Sequence, residues 1–283
     1  VLDGGRYILG PEVAAFEREF ADYCRVGLAA GVGNGTCSLY LVLRCLGVGA
    51  GDEVITVSHT MVASAAAIHH AGATPVLVDV ADDHLMDMDK VEVAITPRTK
   101  AILPVHLTGR PADMDPIMEI ARKYELVVIE DCALAVGARY RDVHVGLIGD
   151  AGIFSFYPIK HITTGDGGMF VSRNQELTER VEKARAFGVD RSFAERALPG
   201  YYDVPTLGIN YRMSDINASI GREQLIRVRE MLDQRARNFS VLRARLTSMR
   251  NIHVVDSASS DQANSHYCLS VVLEGALAGR RDT

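Results

Sequence analysis

Lys160 ends the run Phe154-Ser155-Phe156-Tyr157-Pro158-Ile159-Lys160, and the glycine-rich Gly165-Asp166-Gly167-Gly168 follows closely. An amine set just beyond an apolar strand and among aromatic residues is poorly solvated, which lowers its pKa and frees its lone pair to attack an aldehyde, forming a Schiff base. Taken alone, a surface lysine beside a turn would read the same way, because most lysines are exposed. Asp131 closes the run Leu126-Val127-Val128-Ile129-Glu130-Asp131. A carboxylate at the carboxyl end of a central strand faces the ligand crevice of a parallel sheet and can keep a heterocyclic nitrogen protonated. A strand-end turn aspartate is the plainer alternative. The third feature is Gly31-Val32-Gly33-Asn34-Gly35-Thr36, at the entrance of a helix. Free amides and the helix dipole bind a phosphate there, although Thr36 could equally be a simple N-cap.

Other chemistries fit less well. The glycine spacing lacks the last glycine of a dinucleotide fingerprint, and no acid follows a second strand at the required distance. The nine histidines include the adjacent His69-His70 and the isolated His59, His106 and His161, with no pair-plus-acid spacing of a zinc enzyme, so no metal is expected. His161 directly follows Lys160, and on an extended segment the two side chains would point opposite ways. The five cysteines are odd in number and without C-x-x-C spacing, which favours a reduced, cytoplasmic setting over a disulfide framework.

These residues need a frame, and the hydrophobic pattern supplies one. Val13, Phe16, Phe20 and Tyr23 stand at helical spacing behind Pro11, and a second helix runs from Thr36 through Cys45. Strands are expected over 54–57, 75–80, 101–105, 126–129 and 169–172, with helices over 61–70, 114–124 and 175–187 between or after them. Residues 28–30 read as a weak strand, and 188–211 as a loop rich in Gly, Pro and Tyr. Such alternation argues for an α/β fold with a largely parallel sheet. Residues 213–249 form one long helical pattern with a break, a connector to a small second body with strands over 252–255 and 267–273. Two strands do not close a domain by themselves, so this part is either incomplete or docks elsewhere. At 283 residues and 48% hydrophobic, with a formal charge of -6 and interspersed charges, the chain reads as globular, without a nucleic-acid partner, membrane span or signal peptide.

An amine, an acid and a phosphate turn, in the order turn, acid, lysine, are what pyridoxal phosphate requires. The order and wording resemble the DegT, DnrJ and StrS group of sugar aminotransferases, of the type I pyridoxal-phosphate fold. The resemblance covers nearly the whole chain. Its most specific words are Gly51-Asp52-Glu53-Val54-Ile55, Pro104-Val105-His106-Leu107, Ile129-Glu130-Asp131, the Lys160 run with its glycines, Gly208-Ile209-Asn210-Tyr211-Arg212 and Asp215-Ile216-Asn217-Ala218.

The resemblance implies an aspartate-aminotransferase-like large domain over residues 11–221, with a mostly parallel seven-stranded-type sheet flanked by helices. Residues 222–283 would form the connecting helix and part of a smaller α+β domain, with Thr283 an artificial end and the absent part helping to close the site. Lys160 would form the internal aldimine and shuttle the proton, and Asp131 would pair with the pyridinium. Gly35, Thr36 and Cys37 would hold the phosphate through amides and the threonine hydroxyl, with Ser155 adding another hydroxyl. Met61 would stack over the cofactor ring. Asn210 would reach the phosphate in the neighbouring subunit, making the protein a homodimer with shared active sites.

Two positions depart from the family pattern. Leu134 stands where many members carry a glutamine near the ring hydroxyl, and His161 stands where asparagine is common. Tyr157-Pro158 and His161-Ile162-Thr163 are similar to a branch of sugar 3-dehydratases, in which histidine replaces the Schiff-base lysine. Lys160 favours transamination of a nucleotide-linked keto-sugar, with glutamate as amino donor. A dehydratase on the same scaffold, or a non-catalytic regulatory relative, is the alternative.

Overall fold

The computed structural model describes residues 1–191, 198, 200–257 and 259–280. The first half of the chain runs α1 (Pro11–Cys24), β1 (Leu28–Val32), α2 (Gly35–Cys45), β2 (Glu53–Val57), α3 (Val62–His70), β3 (Thr74–Val78), the short α4 (Met88–Val91), β4 (Thr99–Leu103), α5 (Met114–Lys123) and β5 (Val127–Asp131). The hairpin β6 (Arg139–Tyr140) and β7 (Val143–His144) follows, then β8 (Ala151–Ser155), β9 (Gly168–Ser172), α6 (Gln175–Ala184), α7 (Asp215–Ile226) and α8 (Val228–Thr247). The small strands β10 (Ile252–Val255), β11 (Gln262–Ala263) and β12 (Ser270–Leu273) complete the chain.

Seven strands form one sheet in the order β1-β9-β8-β5-β4-β2-β3. Only β9 runs against its neighbours. The expectation of a mostly parallel sheet flanked by helices is met. β2, β8 and β9 are buried along their whole length, which is why they read as unbroken apolar runs rather than alternating ones.

The differences from expectation have local causes. α2 starts at Gly35 and its cap is Asn34, whose side chain accepts from the Cys37 amide at 2.9 Å, so Thr36 is not the cap. α6 stops at Ala184 rather than at 187, because Phe187 and Gly188 adopt left-handed backbone, φ 66° and 75°. The long helical pattern breaks at Arg227. α1 lacks a side-chain cap of its own, and buried Asp215 of α7 serves instead. Its carboxylate accepts from the amides of Gly10 (2.7 Å), Glu12 (2.9 Å) and Val13 (3.4 Å).

The expected strand over 267–273 shortens to β12, which among the described residues pairs only with β10. The stretch before it docks on the large sheet body. β11 pairs with β6, the Ser265 amide donates to the Gly109 carbonyl at 2.9 Å, and the Tyr267 amide to the Thr108 carbonyl at 3.1 Å. In the 188–211 loop, residues 192–197 and 199 lie outside the described residues.

Candidate active site

Strand alternation sorts the Lys160 run into two faces. Phe154 and Phe156 are fully buried beneath α1, with Phe154 5.1 Å from Phe20 and Phe156 5.2 Å from Phe16, ring centre to ring centre. Ser155, between them, faces the start of α2, where a β-carbon on Gly35 would lie 3.0 Å from its own. Gly168 pairs with both Ser155 and Val32, and a β-carbon there would lie 2.5 Å from the Asn34 carbonyl carbon. The glycines thus keep open a cradle at the mouth of α2. Among the described residues the Gly35 and Thr36 amides donate to no protein group, whereas the Cys37 amide is held by Asn34. Of the three amides expected to bind phosphate, two are available and the third is the cap's.

Asp131 ends β5, the middle strand of the sheet, and pairs with Ile153, two residues before Ser155. It is buried. One carboxylate oxygen accepts from Ser64 Oγ at 3.0 Å, the other from the Ala133 amide at 3.0 Å. Burial pushes its carboxyl pKa up, while those two hydrogen bonds and the nearby charge of Lys160 oppose the rise.

Its position is set by a brace behind it. Buried Glu130 accepts from the amides of Gly146, Ile148 and Gly149, each at 2.7 Å, and from His106 at 3.0 Å. His106 Nδ1 accepts from the Ala112 amide, so the proton sits on Nε2 and points at Glu130. His106, Glu130 and Cys132 bring potential ligand atoms within 4.8 Å of one another. Both His106 nitrogens and both Glu130 oxygens are already committed to hydrogen bonds, so the trio acts as a structural tie between β4, β5 and the turn before β8.

Lys160 lies in a turn, its amide donating to the Tyr157 carbonyl at 2.9 Å. The side chain is half-buried, and burial lowers its pKa, with the Asp131 charge pulling the other way. The aromatic group over its amine is not one of the motif residues but Tyr267, whose ring centre lies 5.6 Å from Nζ. His161 does not point the opposite way. Because the segment turns, its ring also meets Tyr267, at 5.6 Å, and its Nε2 donates to the Ser265 carbonyl at 3.1 Å. Burial, reinforced by Arg235, holds its pKa down to about 3, so it is neutral.

The remaining expected residues sit further out. Met61 is exposed at the start of α3, its sulfur accepting from the Ala63 amide. Leu134 packs at the edge of the core and offers no hydrogen bond. Asn210 bridges Ala186, is exposed, and accepts from Arg212 Nε at 2.9 Å. Among the described residues it makes no hydrogen bond to the Lys160 cluster. Asn217 anchors the glycine loop after Lys160, donating to the carbonyls of Thr164 (2.6 Å) and Asp166 (3.0 Å). Ser64, Asn34, Glu130 and Tyr267 were not assigned roles from sequence, because each acts on a partner distant in the chain or, for Asn34, hides among glycines that draw attention to themselves.

A lysine, a carboxylate and a phosphate cradle at the strand ends of this sheet define the aspartate-aminotransferase-like class of pyridoxal-phosphate enzymes. The residues fit the cofactor: two free amides and Ser155 for phosphate, an acid for the ring nitrogen and a desolvated amine. Residues 1–283 match the model of the DegT/DnrJ/EryC1/StrS aminotransferase family, and the chain belongs to it. It is 48% identical over 231 residues to GDP-perosamine synthase of Caulobacter vibrioides, covering 81% of this chain and 60% of that one. It is 46% identical to the dTDP-3-amino-3,4,6-trideoxy-alpha-D-glucose transaminase of Streptomyces venezuelae, covering 80% and 58%. The structure superimposes on S. venezuelae DesV, solved in complex with a ketimine intermediate, with a TM-score of 0.91 and 40% identity, over 99% of this chain and 72% of that one. The chain thus spans about three-fifths of the length of the curated relatives it matches.

Proposed function

We propose that the chain carries the cofactor-binding part of a pyridoxal-phosphate-dependent aminotransferase that turns a nucleotide-linked keto-sugar into an amino-sugar, with glutamate as amino donor. The observation that carries this reading is the convergence of Lys160, Asp131 and the Gly35–Thr36–Ser155 cradle at one end of the sheet. When bound, pyridoxal phosphate supplies an aldehyde that condenses with amines and a ring that accepts electrons from the carbon losing its proton.

The protein's own residues do the rest. The Gly35 and Thr36 amides and the Ser155 hydroxyl hold the phosphate, and Cys37 lines the cradle. Asp131, kept in place by Ser64 and Ala133, holds the ring-nitrogen proton. Lys160 Nζ, with its lowered pKa, takes and returns a proton at the reacting carbon in each half-reaction. Met61, exposed at the start of α3, would cover the cofactor ring. Residues 11–221 serve as the cofactor domain, and 222–283 supply the connecting helix and strands of a smaller one. Exposed Asn210 completes the site of a partner subunit in a homodimer, and the five unpaired cysteines suit a cytoplasmic enzyme. No helix among the described residues is long and apolar enough to cross a membrane.

Position 160 is lysine, where the dehydratase branch carries histidine, which supports transamination over dehydration. The test is a panel of GDP-, dTDP- and UDP-linked keto-sugars incubated with glutamate and the protein. Amino-sugar formed with matching loss of glutamate is the expected result. A deoxy-keto-sugar without glutamate consumption would replace the proposal by the dehydratase reading.

A further inference from the structure

Residues 261–268 leave the small C-terminal body and lie across the large one as a strap. Among the hydrogen bonds that hold it, the Ser265 amide donates to the Gly109 carbonyl, the Tyr267 amide to the Thr108 carbonyl, Gln262 Nε2 to the Pro111 carbonyl at 3.0 Å, and His161 Nε2 to the Ser265 carbonyl at 3.1 Å, while Arg141 Nε donates to Asp261 at 3.1 Å. Arg235 of α8 donates to the Tyr267 carbonyl at 3.0 Å. The approach is close enough to require glycine at position 109. Its φ is 93°, and a β-carbon would lie 2.7 Å from Ser265 Oγ and 2.9 Å from the Tyr267 amide nitrogen.

The strap delivers one side chain to the site. Tyr267 sets its ring over Lys160 Nζ and beside the His161 ring, and its hydroxyl makes no hydrogen bond among the described residues. The ring face is therefore what meets the amine. A π face attracts an ammonium, and more so where water is partly excluded. The other groups bearing on Lys160 are the Asp131 carboxylate from β5, whose charge favours the ammonium, and His161, which is neutral.

We propose that Tyr267 is a positioning residue for Lys160, carried in by the strap, and that its ring face holds the free amine beside Asp131 and sets the pH at which that amine loses its proton. The inference takes Lys160 as the reacting amine, as above. It places part of the control of Lys160 in the C-terminal segment, 107 positions away in sequence.

The test uses the cofactor-free chain, so that it stands or falls separately from cofactor binding. Lys160 is acetylated with acetic anhydride over a pH series, and the modified peptide is quantified by mass spectrometry to give the midpoint of amine deprotonation. Tyr267→Phe, which keeps the ring, is expected to share the wild-type midpoint. Tyr267→Leu is expected to lower it by about half a pH unit, the loss of one partly buried cation–π contact. Should the leucine variant melt early, Tyr267→Met offers similar bulk without a π face. In a Gly109→Ala background, which displaces the strap, the shift caused by Tyr267→Leu is expected to vanish. A leucine or methionine variant that titrates with the wild type, a phenylalanine variant that shifts as far as leucine, or a shift that persists in the Gly109→Ala background would overturn the proposal.

Discussion

Asp131 and Lys160 matter through what surrounds them. Ser64 is the side chain that donates to Asp131, and the hydroxyl lies 67 positions away in sequence. Because a hydrogen bond to a charged acceptor contributes roughly 1.5 to 3 kcal/mol, Ser64→Ala is expected to lower kcat by about 10- to 100-fold with little change in cofactor affinity. Asp131→Asn, which removes the charge, is expected to cost more, on the order of 100-fold or above, as seen by steady-state kinetics. Two buried histidines contribute to the dependence of stability on acid. His144 accepts from the Gly137 amide and donates to the Val145 carbonyl, and its pKa is held down to about 4; that of His161 is held down to about 3. Both are lower when folded than the ordinary histidine value near 6.5, so the unfolded chain binds the extra protons first. Their contribution is intact above about pH 6.5 and is lost as pH falls toward 4 and 3. Urea melts between pH 7 and 4 should show falling stability, with a shallower fall in His161→Phe.

At the scale of elements, Asp215 is as much part of α1 as of α7. Three amides at the start of α1 depend on its carboxylate, and Gly10 is pressed against it, with a β-carbon there lying 2.7 Å from Asp215 Oδ1. Asp215→Ala is expected to destabilise the chain by roughly 2 to 3 kcal/mol in denaturant titration, a lost cap plus buried unmet donors. The effect should reach Lys160, since α1 carries Phe16 and Phe20 over Phe154 and Phe156. Elements of this kind were legible in sequence where periodicity was strong, as in α1, β5 and the split α7–α8 pattern. Boundaries set by backbone handedness were not: the end of α6 follows from left-handed Phe187, a non-glycine residue with no mark in the pattern. The core of the candidate site was legible because Asp131 and the glycine turn sit at the ends of regular elements, and Lys160 lies in the turn shortly after β8. Tyr267 and the direction of His161 were not, because a strap from the C-terminal body and a local turn set them.

For the molecule as a whole, the sheet brings lysine, acid and cradle together within one chain, while Asn210 stands apart from them. If Asn210 completes a partner's site, mixing inactive Lys160→Ala and Asn210→Ala chains should create hybrid dimers with one intact site, restoring about a quarter of wild-type activity at equal ratio. No recovery on mixing would remove Asn210 from that role. The proposed chemistry turns on Lys160. The most direct measurement is a titration of the purified protein with pyridoxal phosphate, followed by the absorbance of the bound cofactor. A saturable spectral change in the wild type, absent in Lys160→Ala, is the predicted result; no change in the wild type, or the same change without Lys160, would contradict it.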